Sequence, residues 1–328
     1  MKGPSVIRRA ARKLATDPAG FVRFAGDRLR RNVRAFYADP LESLILARER
    51  IAERDELRGK RVMGGGVMPW PPCPYPIDLD WEERLHAEIG APWPCPEQDE
   101  FWRLWTDVIA DLEAAGLRLG RGAFAGWGDG EPGFVRAVWC LVRHLGPSTV
   151  VETGVARGLT SRFVLEALER NRTGRLWSVD LPPPLEPELH AQVALAVPEE
   201  MRSRWTYVRG SSRRRLAPLL ERVRPVDLFV HDSAHTARNV LFELERAWEA
   251  LARGGAVAVD DVDLNCGFHD FRDRHATAPA LICHAEPLTP DLPRQDERGV
   301  FAVVMKRYEQ ETVNDERDVD GAEDDQSE

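Results

Sequence analysis

Three carboxylates and two imidazoles stand at the ends of runs that read as buried strands. Asp232 follows "VDLFVH", Asp260 and Asp261 follow "GAVAV", and His231 and His235 flank the first acid in "HDSAHT". The stretch between the two runs has the length and pattern of a crossover helix, so the three acids are expected to converge at neighbouring strand tips. Clustered carboxylate oxygens suit Mg²⁺ or another hard divalent ion that keeps positions for water and substrate oxygens. Such an ion lowers the pKa of a bound hydroxyl. A metal-free reading stays open beside it, with Asp232 against a cofactor edge and Asp260 capping a loop. Histidine titrates near neutrality, so either imidazole can act as a general base. His235 lies beyond the strand, at the mouth of the next helix, and is preferred over His231; the alternative for it is a helix-start residue bonded to backbone. His269, in "LNCGFHDF", is placed on the loop after the fifth strand, as a residue that could line a pocket.

A second constellation is "VVETGVARGLTS" at 150–161, where an apolar run meets Glu152 and turns through Gly154 and Gly158 into a helical pattern. In open α/β sheets, ligands sit beyond the carboxyl ends of the strands. The dinucleotide fingerprint G-x-G-x-x-G is absent here, and a carboxylate just before the first glycine would oppose a pyrophosphate. A ligand with an ammonium and a sulfonium tolerates it. Asp180, closing "LWSVD", is placed to accept from both hydroxyls of a ribose. Taken with the strand pattern below, these features favour S-adenosylmethionine over a nicotinamide dinucleotide. Arg157 is read either as a surface arginine or as a partner for a cofactor or acceptor carboxylate. Arg213 to Arg215, in "SSRRRL", read as a solvated helix start, with an anion site as the alternative.

The elements that must position these groups alternate between strand and helix. Strands are expected at "TVVET", "RLWSVDL", "WTYVRG", "VDLFVHD" and "GAVAVDDV". Helices are expected at 131–145, 160–171, near 187–202, and at "SRRRLAPLLERV" and "ARNVLFELERAWEALA". Alternation of this kind specifies a parallel sheet with helices on both faces. The last two strands, "ALICHAEP" and "GVFAVVMKR", are joined by a loop without a helix, so one of them should run antiparallel. Upstream, helices are expected at "WEERLHAEI", at "DEFWRLWTDVIADLEAAG" and through the basic segment 5–61.

In these motifs and their order, residues 121–307 resemble a class I S-adenosylmethionine-dependent methyltransferase. The similarity is greatest to the methyltransferase 24, macrocin and catechol O-methyltransferase-like group. The resemblance implies a Rossmann-like seven-stranded sheet of order 3-2-1-4-5-7-6 with strand 7 antiparallel. It also implies a cofactor site in which Glu152, Thr153, Gly154, Val155 and Gly158 line the methionine part and Ser161 orients it. Asp180 would hold the ribose, Leu181 the adenine face, and Gly210 with Ser211 the adenine edge. Metal-dependent members carry acids at the positions of Asp232, Asp260 and Asp261. The lysine that catechol-type members place shortly after the first acid is missing, so the resemblance does not identify the base; the catalytic candidates are Asp232 and His235.

The chain has 328 residues and a net charge of −9. It divides into a helical, partly irregular region 1–120, the sheet domain 121–307 and an acidic tail 308–328, expected to be disordered for want of apolar residues. The basic N-terminal segment reads as a solvated helical face, with contact to a membrane surface as the weaker alternative. No run is long enough to span a bilayer. Five cysteines without a C-x-x-C pair read as free thiols in a reducing cytosol, not as a disulfide frame or a zinc site. The expected activity is O-methylation of a small-molecule or sugar-containing acceptor, in the cytoplasm, by an enzyme whose helical N-terminal region supplies a lid, acceptor specificity or a homo-oligomer surface. Competing readings are a nicotinamide-dependent oxidoreductase and a non-catalytic cofactor-binding protein. A nucleic-acid methyltransferase is disfavoured by the acidic charge and the absence of an N-P-P-Y-type motif.

Overall fold

A computed structural model describes residues 39–49, 73–120, 123–124, 128–183, 186–275, 278–285 and 299–307, with single positions at 26, 29, 30, 33 and 51. The acidic tail and most of the basic segment 5–61 lie outside the described residues.

Seven strands form one sheet: β1 (Thr149–Thr153), β2 (Arg175–Asp180), β3 (Trp205–Arg209), β4 (Val226–His231), β5 (Leu251–Val259), β6 (Ala280–His284) and β7 (Val300–Met305). Their order is β3-β2-β1-β4-β5-β7-β6. β7 pairs antiparallel with both β5 and β6, while the pairs among the first five strands are parallel. The sheet is therefore the Rossmann-like methyltransferase sheet, in the order expected from the sequence.

The strands read as continuous apolar runs because both faces are covered. Successive residues serve opposite layers: Val150, Leu228, Val230, Ala256 and Ala258 join one core, and Val151, Phe229, Val257 and Val259 the other. The first core is closed by α1 (Trp81–Glu88), α2 (Gln98–Ala114), α3 (Pro132–Leu145) and α4 (Leu159–Asn171). The second is closed by α5 (Ser212–Val223), α6 (Ala237–Ala250) and α7 (Gly267–Arg274). The N-terminal helices share the core of the sheet domain. Phe101 and Trp105 pack on Phe163 at ring distances of 5.1 and 5.5 Å, and Trp81 meets Phe301 edge-on at 5.2 Å.

Local rules explain the helix ends. Pro132 begins α3, where its missing N–H costs nothing, and Gly146 ends it in the left-handed region at φ +59°. The Thr236 hydroxyl caps α6 by accepting from the Asn239 N–H at 3.2 Å.

Three expectations need correction. The helix near 187–202 is instead two short 3₁₀ segments, Pro187–Gln192 and Glu199–Arg204, interrupted where Ala194 takes φ +59° and Pro198 follows. The loop assigned to His269 is the short helix α7, and that side chain stands half-exposed beside Asp270 and Asp273. The cysteines are not all free: Cys73 and Cys266, 193 residues apart, form a disulfide, leaving Cys95, Cys140 and Cys283 as buried thiols. A pairing over that span leaves no trace in sequence spacing.

Candidate functional site

Register brings the carboxyl ends of four strands level. Thr153 lies beside Val179 and His231, and His231 beside Val259. The ladder then runs one step past the strands: Gly154 N–H donates to Val179, Asp232 N–H to Thr153, Asp260 N–H to His231 and Gly210 N–H to Asp180, each at 2.9 Å. Gly154, Gly210, Asp232 and Asp260 thus come to one rim of the sheet through backbone pairing.

The turn after β1 leaves room only for glycine. Gly154 has φ +86°, and a Cβ there would stand 1.8 Å from the Asp232 carbonyl oxygen. Gly158 has φ +81° and lies under the segment after β2, where Ala194 and Ala196 N–H donate to the Ala156 and Arg157 carbonyls. Beneath this turn Glu152 is fully buried, and its Oε2 accepts from Ser161 and Ser178, both at 2.6 Å. Burial raises its carboxyl to about 7 against these two hydrogen bonds, while Oε1 is buried without a hydrogen-bond partner among the described residues. Thr153 turns its hydroxyl away, toward Glu243 Oε2 at 2.5 Å. Val155 is buried, and its N–H donates to Asp180 Oδ1 at 3.3 Å. Tyr207 donates to the other Asp180 oxygen at 3.2 Å, and burial raises the Asp180 carboxyl despite both bonds. Leu181 is half-buried beside it.

Arg157 corrects the sequence reading. It is not at the surface but 3% exposed, and it is paired with Asp129 at 3.2 Å. It also donates to the Arg118 and Ala123 carbonyls and to Gln192 Oε1. The arginines of "SSRRRL" are partly exposed, and two of them are ion-paired: Arg213 with Glu49, and Arg214 with Asp39 and Glu42. Glu42 Oε1 also accepts from the Ser211 N–H at 3.0 Å, so the helical segment 40–49 docks where α5 begins, beside Gly210 and Ser211.

On the other side of the rim, one ligand-type atom from each of Asp232, His235 and Asp260 lies within 4.8 Å of the others. His235 Nε2 is 3.9 Å from Asp232 Oδ1 and 3.8 Å from Asp261 Oδ2, so the fourth candidate joins the group through the imidazole. Asp261 takes φ +53°, a conformation that costs free energy outside glycine. Asp232 and Asp261 keep 27% and 26% of their side-chain surface open. Burial comes first in driving the Asp232 and Asp260 carboxyls well above the usual range, followed by the surrounding carboxylates, Glu131 among them. Burial lowers His235 to about 4, so its ring is neutral near pH 7. This donor set of crowded carboxylates with a neutral imidazole fits a hard divalent cation.

His231 points the other way. Its Nδ1 is 2.7 Å from Glu243 Oε2, both groups are fully buried, and Ser233 and Asn239 bond the second Glu243 oxygen at 2.8 and 2.9 Å. Sequence reasoning missed Glu243, Glu131, Tyr207 and Asp129. Glu243 lies inside an amphipathic helix like any surface acid, whereas Glu131 and Asp129 offered only the weak signal of two acids among glycines in "GDGEPG".

The strand order and this rim define a class I methyltransferase fold. A family model described as a methyltransferase domain matches residues 151–262, about a third of the chain and most of the strands that build this rim. Among solved structures, an O-methyltransferase from Bacillus cereus in complex with SAH is similar at 16% identity and a TM-score of 0.44, covering 62% of this chain and 90% of that one. The O-methyltransferase TomG from Streptomyces achromogenes, involved in tomaymycin synthesis and solved with SAM, is similar at 14% identity and a TM-score of 0.42, covering 78% and 96%. The SAH-bound Podospora anserina methyltransferase PaMTH1 has 12% identity and a TM-score of 0.41, covering 72% and 99%. Likenesses this distant carry neither cofactor nor acceptor over to this chain. No curated protein matches it. Among the described residues no helix is long and apolar enough to cross a membrane.

Proposed function

We propose that the chain transfers a methyl group from S-adenosylmethionine to an oxygen of a small-molecule or sugar-containing acceptor. The observation that carries this reading is the division of one sheet rim into two halves. A glycine turn with Asp180 and Glu152 faces one side, and a carboxylate–imidazole cluster stands one strand away. The bound cofactor supplies an electrophilic methyl on a sulfonium. Asp180 would accept from the ribose hydroxyls in exchange for its bonds to Val155 and Tyr207. Glu152 Oε1, buried and unbonded, would take a hydrogen bond from the ammonium end. Gly154, Gly158, Leu181, Gly210 and Ser211 would complete the walls, and Ser161 would hold Glu152 in place.

Asp232, Asp260 and Asp261 would hold Mg²⁺ or a similar ion, which supplies a lowered pKa to an acceptor hydroxyl. His235 is neutral near pH 7 and a weak base, so its Nε2 would orient the hydroxyl and take its proton late, as the methyl–oxygen bond forms. The segment 39–49, anchored through Glu42 at Ser211, would close the adenine end of the cleft.

The test is incubation with methyl-labelled cofactor and a metabolite extract, with and without chelator. Labelled product whose formation falls by at least tenfold in Asp232→Ala and His235→Ala is the expected result. Cofactor retained without any product would mark a binding protein instead. Retention of a nicotinamide dinucleotide and not of S-adenosylmethionine would mark an oxidoreductase.

A further inference from the structure

Far from the rim, four side chains from two segments meet inside the first core. His86 lies in the last turn of α1, Cys95 in the turn before α2, and Cys140 and His144 are four residues apart on one face of α3. One ligand atom from each lies within 4.8 Å of the other three. Cys95 Sγ and His144 Nε2 are 3.6 Å apart. Around a tetrahedral zinc ion, with Zn–S of about 2.3 Å and Zn–N of about 2.0–2.1 Å, ligand atoms are separated by roughly 3.3–3.8 Å. The gathering thus needs only a small contraction to close on an ion.

His86 shows which atom faces the cluster. Its Nδ1 lies 2.7 Å from the Glu82 carbonyl oxygen, to which it donates, fixing the proton on that nitrogen. Nε2 is left with its lone pair, buried and without a hydrogen-bond partner among the described residues, in a residue 1% exposed. Metal-ligating histidines are usually held this way, one ring nitrogen donating to a backbone carbonyl so that the other points its lone pair at the ion. Cys95 and Cys140 are 8% and 4% exposed and are not joined to each other.

We propose that His86, Cys95, Cys140 and His144 form a structural site for one zinc ion that fastens segment 86–95 to α3. Two thiolates and two imidazoles, with no carboxylate, select zinc over Mg²⁺ or Ca²⁺. Four protein ligands leave no open position, so the ion is structural and takes no part in the chemistry at the sheet rim. The ligands lie outside the residues matched to the methyltransferase family, 151–262, so the staple belongs to the attachment of the N-terminal helices and not to the matched domain. Sequence spacing hides it, because the Cys95 and Cys140 ligands are 45 positions apart and no C-x-x-C pair is present.

The test is metal analysis of the full chain, purified reduced from zinc-supplemented medium. One zinc per chain is expected, retained through dialysis against a weak chelator and released by an organomercurial that titrates thiols. Cobalt exchanged into the site should show the intense visible bands of tetrahedral thiolate ligation. Cys140→Ser and His86→Gln should each lower bound zinc at least fivefold and lower Tm, while Asp232→Asn, in the acid cluster, should keep the zinc. If a variant fails to fold, the metal count and cobalt spectrum of the parent chain still decide. Less than a tenth of a zinc per reduced chain, a Cys95–Cys140 disulfide in the freshly isolated protein, or zinc lost in Asp232→Asn would each overturn the proposal. None of these outcomes depends on methyl transfer.

Discussion

Ser161 and Glu152 are locked together beneath the glycine turn, the serine hydroxyl donating to Oε2 across 2.6 Å in a site closed to solvent. Two hydroxyls compensate one oxygen of a buried carboxyl, and burial outweighs them, so the group titrates near 7 rather than at its ordinary 4.5. A raised acid pKa means that the folded protein binds the proton more tightly than the unfolded chain. Its contribution to stability is full below about 4.5 and is lost as pH rises toward 7. Glu152→Gln removes this dependence. Relative to the parent, the variant should gain about 2 kcal/mol between pH 5.5 and 8.5, since about 1.5 pKa units at ~1.4 kcal/mol each lie in that window. Urea unfolding without cofactor at the two pH values measures it, and parallel curves would show that the carboxyl titrates normally.

Glu243 should behave in the opposite sense. Burial alone would raise its pKa, but His231 beside it, together with hydrogen bonds from His231, Ser212 and Thr153, holds it at about 2. A depressed acid pKa stabilises above the unfolded value near 4.5, and the contribution disappears as pH falls toward 2. Glu243→Gln is expected to cost on the order of 3 kcal/mol at pH 7, with the deficit shrinking by more than half at pH 3. Denaturant midpoints of parent and variant at the two pH values decide it. An equal deficit at both would mean that the charge of Glu243 contributes nothing.

These two acids illustrate what the sequence made legible. Glu152 was visible because it stands between a β-type run and a glycine turn. The sheet order was visible because each strand is a short apolar run followed by a helical pattern, and the final pair lacks a helix. Glu243 was hidden because its partners His231, Thr153 and Ser233 come from two strand ends, brought to it by parallel pairing. The same holds for Cys73 with Cys266, and for Arg213 and Arg214, whose acids lie far upstream. Local patterning specifies elements and their order. Contacts between distant segments are set by register and packing, which no short window contains.

Asp180 gives a prediction confined to the cofactor half of the rim. Removing a charged acceptor of two ribose hydroxyls should cost about 1.5–3 kcal/mol, so Asp180→Ala should weaken S-adenosylmethionine binding by roughly 10- to 150-fold. Tyr207→Phe removes a bond that the ribose hydroxyls replace and leaves the carboxylate in place, so binding roughly fivefold tighter is expected. Calorimetric titration of both variants measures the two effects. An Asp180→Ala protein that binds as tightly as the parent would remove this carboxylate from the cofactor site.

Arg157 should be the residue of the glycine turn that stability tolerates least. Its guanidinium reaches Asp129 at 3.2 Å from both carboxylate oxygens, with the arginine side chain 4% and the aspartate 2% exposed. Its other bonds run to Arg118, Ala123 and Gln192, so one side chain ties the turn after β1 to the loop before α3 and to the cover segment after β2. Arg157→Met keeps much of the volume but strands Asp129, whose carboxyl burial already pushes upward. Breaking a buried pair from one side costs about 3–5 kcal/mol, so urea unfolding should show a loss of that size. Replacing both partners, as Arg157→Met with Asp129→Leu, should recover more than half of it, because no uncompensated charge remains. Hydrogen exchange should localise the single variant's loosening to the backbone around Arg118, Ala123 and Asp129 and to residues 192–197. A single variant as stable as the parent would mean that Asp129 is protonated in the folded protein and that the arginine serves only to fill space.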